Sequence, residues 1–354
     1  MVARAWWTKT VAVVGLLAFT YRVCGQGTLI PDATRRDHVF SPDGSTLYFT
    51  GSGGGLQRFS VVTGSLLDPI PVGVSLNGID LTPDGTTAFV TDRVMIGGQG
   101  VLRRLDFATG TVSSLMYTPQ YPQETHSWDV AIVSNATGFI TSSFAGSGNT
   151  VRRQIDVANN TLTVRQGVNW IRNRSRLYRS ADRSRMVLAE AETTPGNLWN
   201  YDTSTDVFSA IGQSNDFLGN APLAVSRDGA LFALGHSIAG TRIYDSAFGI
   251  VATLPASTGY VFDPLRDVLY LTNRLTDQIV EYRTSDWSVV STFPVGENMI
   301  VSLAFGEGYM SISDDGQQLA VSTPLGIRVY SIPAPGGVGL LVIARMASMR
   351  RRRR

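Results

Sequence analysis

Short runs of alternating apolar and polar residues, rich in β-branched and aromatic side chains, follow one another from residue 27 to residue 332. Stretches with the 3.6-residue period of an amphipathic helix are scarce, so the pattern predicts strands throughout. One frame recurs seven times: an apolar residue, then a turn residue five positions on. It begins at Phe59 (FSVVTG), Leu105 (LDFATG), Ile155 (IDVANN), Tyr201 (YDTSTD), Tyr244 (YDSAFG), Tyr282 (YRTSDW) and Tyr330 (YSIPAP). The intervals run from 38 to 50 residues, with a mean near 45. That is the length of one propeller blade of four antiparallel strands, whereas helical arrays of similar period need amphipathic helices.

Two further markers fall in step with the frame. A turn followed by an apolar strand precedes each copy, as in Pro42-Asp43-Gly44, Pro83-Asp84-Gly85, Asp182-Arg183, Asp228-Gly229 and Asp315-Gly316. Proline presets φ at the turn, aspartate bonds its own backbone, and glycine reaches positive φ without steric cost. Each such turn is expected to join the innermost strand of a blade to the second. The third marker is a proline-bearing outer strand, at 68–72, 251–255 and 291–295. Proline fits an edge strand, where one side of the backbone needs no partner. Residues 27–31 (GTLIP) carry the same signature, and the seventh repeat lacks its own outer strand. The expected fold is therefore an all-β, seven-bladed β-propeller over residues 26–332, with four-stranded antiparallel blades and a ring closed by the N-terminal strand. The repeat wording, a Pro-Asp-Gly turn, an apolar strand and then the D-x-x-T-G-like frame, resembles the YVTN family of seven-bladed propellers. The resemblance implies the fold and leaves activity open, because that family hosts lactonases, redox domains and surface proteins.

The ends of the chain change the reading of its charge. Of the 354 residues, 30 are Lys or Arg and 28 are Asp or Glu, a net charge of +2. Nine of those bases sit in residues 1–25 and 336–354, which hold no acid. The body between them carries 21 bases against 28 acids, a net of −7, so no basic stripe is left for nucleic acid. Residues 1–25 read as a secretory signal peptide, with Arg4 and Lys9 ahead of the apolar run TVAVVGLLAFT and a cleavage site at Val23-Cys24-Gly25. Cys24 is the single cysteine, so no disulfide can form within the chain. At the other end, Pro333-Ala334-Pro335 precedes a short apolar stretch and then Arg350, Arg351, Arg352, Arg353 and Arg354. This order resembles the PEP-CTERM sorting signal of bacterial surface proteins, with Ala334 where that family carries Glu. The resemblance implies export to the cell envelope or medium, processing by an exosortase-like membrane enzyme after signal peptidase, and transient anchoring by residues 333–354. Positive charge after an apolar run also fits the positive-inside rule.

Candidate chemistry concentrates in the long connections of blades 2 to 4. In a propeller, the second-to-third strand loops and the blade-to-blade connections share one face, and loops on a rigid scaffold are where binding residues gather. Tyr121, His126, Trp128, Asn169, Trp170, Arg172, Glu190 and Glu192 are the candidate binding residues there. Aromatics with Asn, Arg and carboxylates suit a glycan, a peptide or an envelope protein; packing between blades is the competing role for the tryptophans. His38, His126 and His236 have no metal-ligand spacing, and no Walker loop, Rossmann fingerprint or G-x-S-x-G elbow is present, so no cofactor, metal or catalytic residue is assigned. The basic run from Arg172 to Arg185 reads as a solvated face balanced by Asp182, Glu190 and Glu192. The glycine-rich pieces 51–55 and 97–100 read as flexible blade loops. The expected function is an exported binding module; a lactonase-like hydrolase is the alternative, and it needs His126 to converge with Glu190 or Glu192.

Overall fold

The computed structural model describes residues 27–166, 170–190, 195–214, 222–236, 240–273, 275–299 and 310–332. They form seven four-stranded antiparallel sheets arranged as a β-propeller. Blade 1 contains His38–Phe40, Thr46–Phe49, Gly55–Ser60 and Ser65–Pro71, ordered from the channel outward. Blades 2, 3 and 4 begin at the innermost strands Leu76–Leu81, Glu124–Ile132 and Arg176–Arg179. Blades 5, 6 and 7 begin at Leu223–Val225, Ser257–Phe262 and Met310–Ile312. Each innermost strand touches the innermost strands of the two neighbouring blades, and the last touches the first, which closes the ring.

Closure is achieved by the strand expected from sequence. Thr28–Pro31 pairs antiparallel with Gly326–Ser331, with Thr28 opposite Val329 and Pro31 opposite Gly326, and becomes the outer strand of blade 7. Ile30 is 1 % exposed and joins a cluster containing Phe40 and Phe49 of blade 1 and Ile327 of blade 7. The seam between the chain's two ends is therefore sealed by backbone pairing and by apolar burial.

The recurring apolar residue has one physical role. Phe59, Leu105, Ile155, Tyr201, Tyr244, Tyr282 and Tyr330 all sit on third strands and are all buried. Seven apolar clusters, one at each blade-to-blade interface, make up the core among the described residues. The turn residue five positions on adopts positive φ at Gly110 (+68°) and, with a side chain, at Asn160 (+54°), Asp206 (+55°) and Trp287 (+57°). Blade 5 differs: Phe248 takes positive φ one residue ahead of Gly249, and the turn is one residue shorter, with Tyr244 opposite Ile250. Phe248 then stacks on Tyr244, with centroids 4.4 Å apart, which holds the shorter turn in place.

The turns joining first and second strands are built as expected. Asp43 accepts from the Ser41 hydroxyl and from the Ser45 amide and hydroxyl. Asp84, Asp182, Asp228 and Asp315 repeat the arrangement with their own neighbours. The glycine-rich pieces are ordered rather than loose. Strand pairing in blade 2 continues to Ile96 opposite Gln99, so residues 92–100 form a projecting hairpin whose two-residue turn is Gly97-Gly98. The carbonyls of Gly53 and Gly54 accept from the amides of Val72, Gly73 and Leu76, so 51–55 is held by the backbone that leaves blade 1.

Candidate functional site

The innermost strands of blades 1 to 4 carry charge into the channel. Asp37, Asp80 and Asp129 each reach across to the next blade. The Ile79 amide donates to Asp37 (3.0 Å), the Ile132 amide to Asp80 (2.8 Å) and the Leu177 amide to Asp129 (2.9 Å). Arg179 meets Asp80 with two nitrogens at 2.8 and 3.0 Å, and Arg176 meets Asp129 at 3.0 Å. Arg183, held at φ +60° where blades 1, 2, 5 and 7 place glycine, donates to the carbonyls of Leu81 (3.0 Å) and Ile132 (2.5 Å). The basic run is thus not the solvated face expected from sequence. Arg176, Arg179 and Arg183 turn inward, because unbalanced aspartates wait in the channel wall. Arg185 pairs with Asp202, and Asp182 caps its own turn.

The channel holds a cavity of ≈ 230 Å³ lined by all seven innermost strands. Removal from bulk water pushes the Asp37 carboxyl up to about 7, and the neighbouring Asp129 charge adds to the rise. Asp80 feels the same desolvation, yet Arg179 and Arg183 overcome it and hold Asp80 below its ordinary value. One wall therefore contains a carboxyl that titrates near neutrality and another locked as an anion.

Antiparallel alternation places Arg36, Arg93, His126, Trp128, Trp170, Arg172, Arg174 and Glu190 at one end of the blades, the upper face. Tyr121 (36 %) and Trp170 (50 %) are exposed there, and the Arg172 guanidinium lies 6.0 Å from the Trp170 ring centroid. Trp128 is 1 % exposed and packs inside, between the guanidiniums of Arg93 (5.2 Å) and Arg174 (5.0 Å). Glu190 is buried and accepts from the Arg172 amide (3.2 Å), the Asn197 amide (3.1 Å) and the Asn197 side chain (2.7 Å). His126 is half-buried beside Trp128, and no hydrogen bond or ion pair joins it to Glu190. Asn169 and Glu192 lie outside the described residues, as do Pro333 to Pro335 and Arg350 to Arg354. His38 is buried with Nδ1 2.6 Å from the Ser311 hydroxyl. Among the described residues no three His, Cys, Asp or Glu side chains gather as metal ligands, and no helix is long and apolar enough to cross a membrane.

Several charged residues at this end of the blades were not singled out from sequence. Glu124 and Arg153, both buried, pair at 2.5 and 3.0 Å and tie the blade 2–3 connection through the Gln120 amide and the Thr118 carbonyl. Asp92, fully buried, accepts from Arg103 and from the amides of Val74 and Ser75. Arg36 and Arg93 complete the upper mouth. A charged residue inside an apolar innermost strand, as in NGIDL or WDVAI, is the signal that could have exposed the channel aspartates.

No family model matches the chain, and no curated protein matches it in sequence. Its fold is similar to that of 1662 solved chains, so the architecture is too widely shared to indicate an activity. One of them is hydrazine synthase of Kuenenia stuttgartiensis. It aligns with a TM-score of 0.62 at 15 % identity, over 89 % of this chain and 99 % of that chain. At that identity the likeness establishes the propeller fold alone.

Proposed function

We propose that this chain is an exported bacterial propeller, sited at the cell surface or in the medium, that binds an envelope glycan, peptide or protein through the upper face of blades 2 to 4. The observation that carries the reading is the division of labour on that face. Tyr121 and Trp170 are presented to solvent with the half-buried Arg172 beside Trp170, whereas Glu190, Glu124 and Asp92 are buried and engaged by donors. Presented aromatics and arginines make contacts; a hydrolase needs a carboxylate or imidazole pair able to exchange protons with substrate. The separation of His126 from Glu190 weighs against the lactonase-like alternative. The signal-like residues 1–25 and the PEP-CTERM-like residues 333–354 support export and sorting.

Intact mass of the native protein from each cell fraction tests the address. Loss of residues 1–25 together with a cut near Pro335, in the envelope or medium, is expected. An uncut chain in the cytoplasm would overturn it. Binding of the purified chain to envelope glycan, weakened about tenfold by Trp170→Ala, is the expected mark of the face. Equal binding by the variant would remove Trp170 from it.

A further inference from the structure

Four successive segments bring one basic side chain each to the upper mouth. Arg36 precedes the innermost strand of blade 1, Arg93 lies on the second strand of blade 2, His126 on the first strand of blade 3, and Arg174 on the connection into blade 4. All four are half-buried. Buried Trp128 packs against three of them. It lies between the Arg93 and Arg174 guanidiniums, with the His126 ring 6.2 Å from its own. Arg36 is steered from the side by the Ser75 hydroxyl (3.1 Å) and the Leu76 carbonyl (2.5 Å).

The nearby carboxylates are engaged elsewhere. Asp92 is taken by Arg103 and two backbone amides, and Asp129 by Arg176 and the Val130 and Leu177 amides. Arg36 and Arg93 have no carboxylate partner among the described residues, and His126 Nε2 is buried without a hydrogen-bond partner. The Arg36 and Arg93 charges are therefore gathered side by side with no counter-ion among the described residues. Guanidiniums fixed over an indole are preorganised forks that match planar or tetrahedral oxygen anions.

We propose that Arg36, Arg93 and His126 form an oxyanion site that takes a phosphate, sulfate or carboxylate group, either as a free ion or as the acidic substituent of a saccharide. The inference deepens the binding reading and rests on it for the larger ligand, not for the ion. The charge state of the mouth agrees. Burial, then Arg93, lowers Arg36 to about 10; burial, then Arg174, lowers Arg93. Burial lowers His126 to about 4, with Arg93, Arg174 and Arg36 adding to the fall and Asp92 alone opposing it. An anion seated among them reverses each of these repulsions.

Calorimetric titration of the full chain tests the site at low salt, with inorganic phosphate, sulfate, acetate, galacturonate and polygalacturonate as separate probes. At least one probe is expected to bind. Arg93→Gln and Arg36→Gln should each weaken it tenfold or more, while Arg58→Gln, on the outer face of blade 1, leaves it unchanged. Two variants are used because Arg93 also packs on Trp128, and circular dichroism verifies that each is folded. Binding of phosphate or sulfate alone assigns a free ion; preference for the uronates assigns an acidic saccharide. No binding by any probe, or equal binding by both folded variants, would overturn the site. Envelope glycan that binds wild type and Arg93→Gln equally sinks the oxyanion site and leaves the binding reading standing. Phosphate binding lost in Arg93→Gln, with no envelope ligand held by wild type, keeps the site and sinks that reading.

Discussion

The channel wall supplied by blades 1 to 4 differs in kind from that supplied by blades 5 to 7. In the first, Asp37, Asp80, Asp129, Arg176, Arg179 and Arg183 line the cavity and wire each blade to the next through carboxylate-to-amide bonds and ion pairs. In the second, Leu223, Ala224, Val261, Phe262 and Ile312 stand at the same cavity with Asp314 as the charged exception, and apolar packing joins neighbouring blades, with the exposed Arg227–Asp267 pair added between blades 5 and 6. Seven copies of one backbone plan thus carry two interblade chemistries. The upper-face candidates share the charged half, so the ring's asymmetry in sequence coincides with its asymmetry in chemistry.

The largest effect is expected where the two halves meet at the seam. Deleting residues 27–31 removes the outer strand of blade 7 and the buried Ile30 that touches blade 1. The loss should be on the order of 5 kcal/mol, read by thermal melting. Unchanged melting would show that the ring closes without it. Next comes the contrast itself. Asp129→Ala strands the Arg176 charge inside the protein and should cost about 3–5 kcal/mol. Leu234→Ala, in the apolar half and fully buried, should cost about 2–4 kcal/mol through a cavity. The double replacement Asp129→Leu with Arg176→Met separates the two mechanisms. It should cost less than Asp129→Ala alone, because no unpaired charge remains. A double variant worse than the single would mean that the pair itself holds blades 3 and 4 together.

Titration sharpens the same contrast. The Asp37 carboxyl sits at about 7 in the fold, above its ordinary value of 3.8. The native state therefore holds this proton more tightly than the unfolded chain. Its contribution is fully present below about pH 4 and is lost as pH rises towards 7. Asp37→Asn removes the loss, and should raise stability at pH 8 by about 1–3 kcal/mol while changing little at pH 4. Denaturant melts at both pH values measure it. A variant destabilised equally at both would show that Asp37 serves as an ionised acceptor for the Ile79 amide.

The repeat frame was legible because each blade must satisfy the same local demands. A third-strand apolar residue has to fill the interface, and a turn residue five positions on has to tolerate positive φ. Both demands are met within six residues of chain, so a single sequence displays them. The closing strand was legible through its proline and through the missing outer strand of repeat seven. The upper face was legible only in part. Trp170 and Tyr121 are exposed as a binding role needs, but Trp128 and Glu190 point inward, since whether a loop side chain turns in or out depends on partners dozens of residues away. Arg176 and Arg179 show the same limit. Their aspartates lie 47 and 99 positions earlier, and only the packing of blades 2, 3 and 4 around the channel brings them within 3.0 Å.

The smallest effect is the one that should not distinguish the halves. Asp84 in blade 2 and Asp228 in blade 5 each accept a hydroxyl and an amide from residues two positions away, on opposite sides of the ring. Asp84→Ala and Asp228→Ala should each cost about 1 kcal/mol, the worth of a local turn bond whose partners can turn to water. Equal costs would show that the hairpin turns run on local chemistry alone, repeated without regard to the channel. A markedly larger cost at Asp84 would place that turn within reach of the charged wall. Arg183 is the route by which this could happen, since its guanidinium meets the Leu81 carbonyl three residues before Asp84.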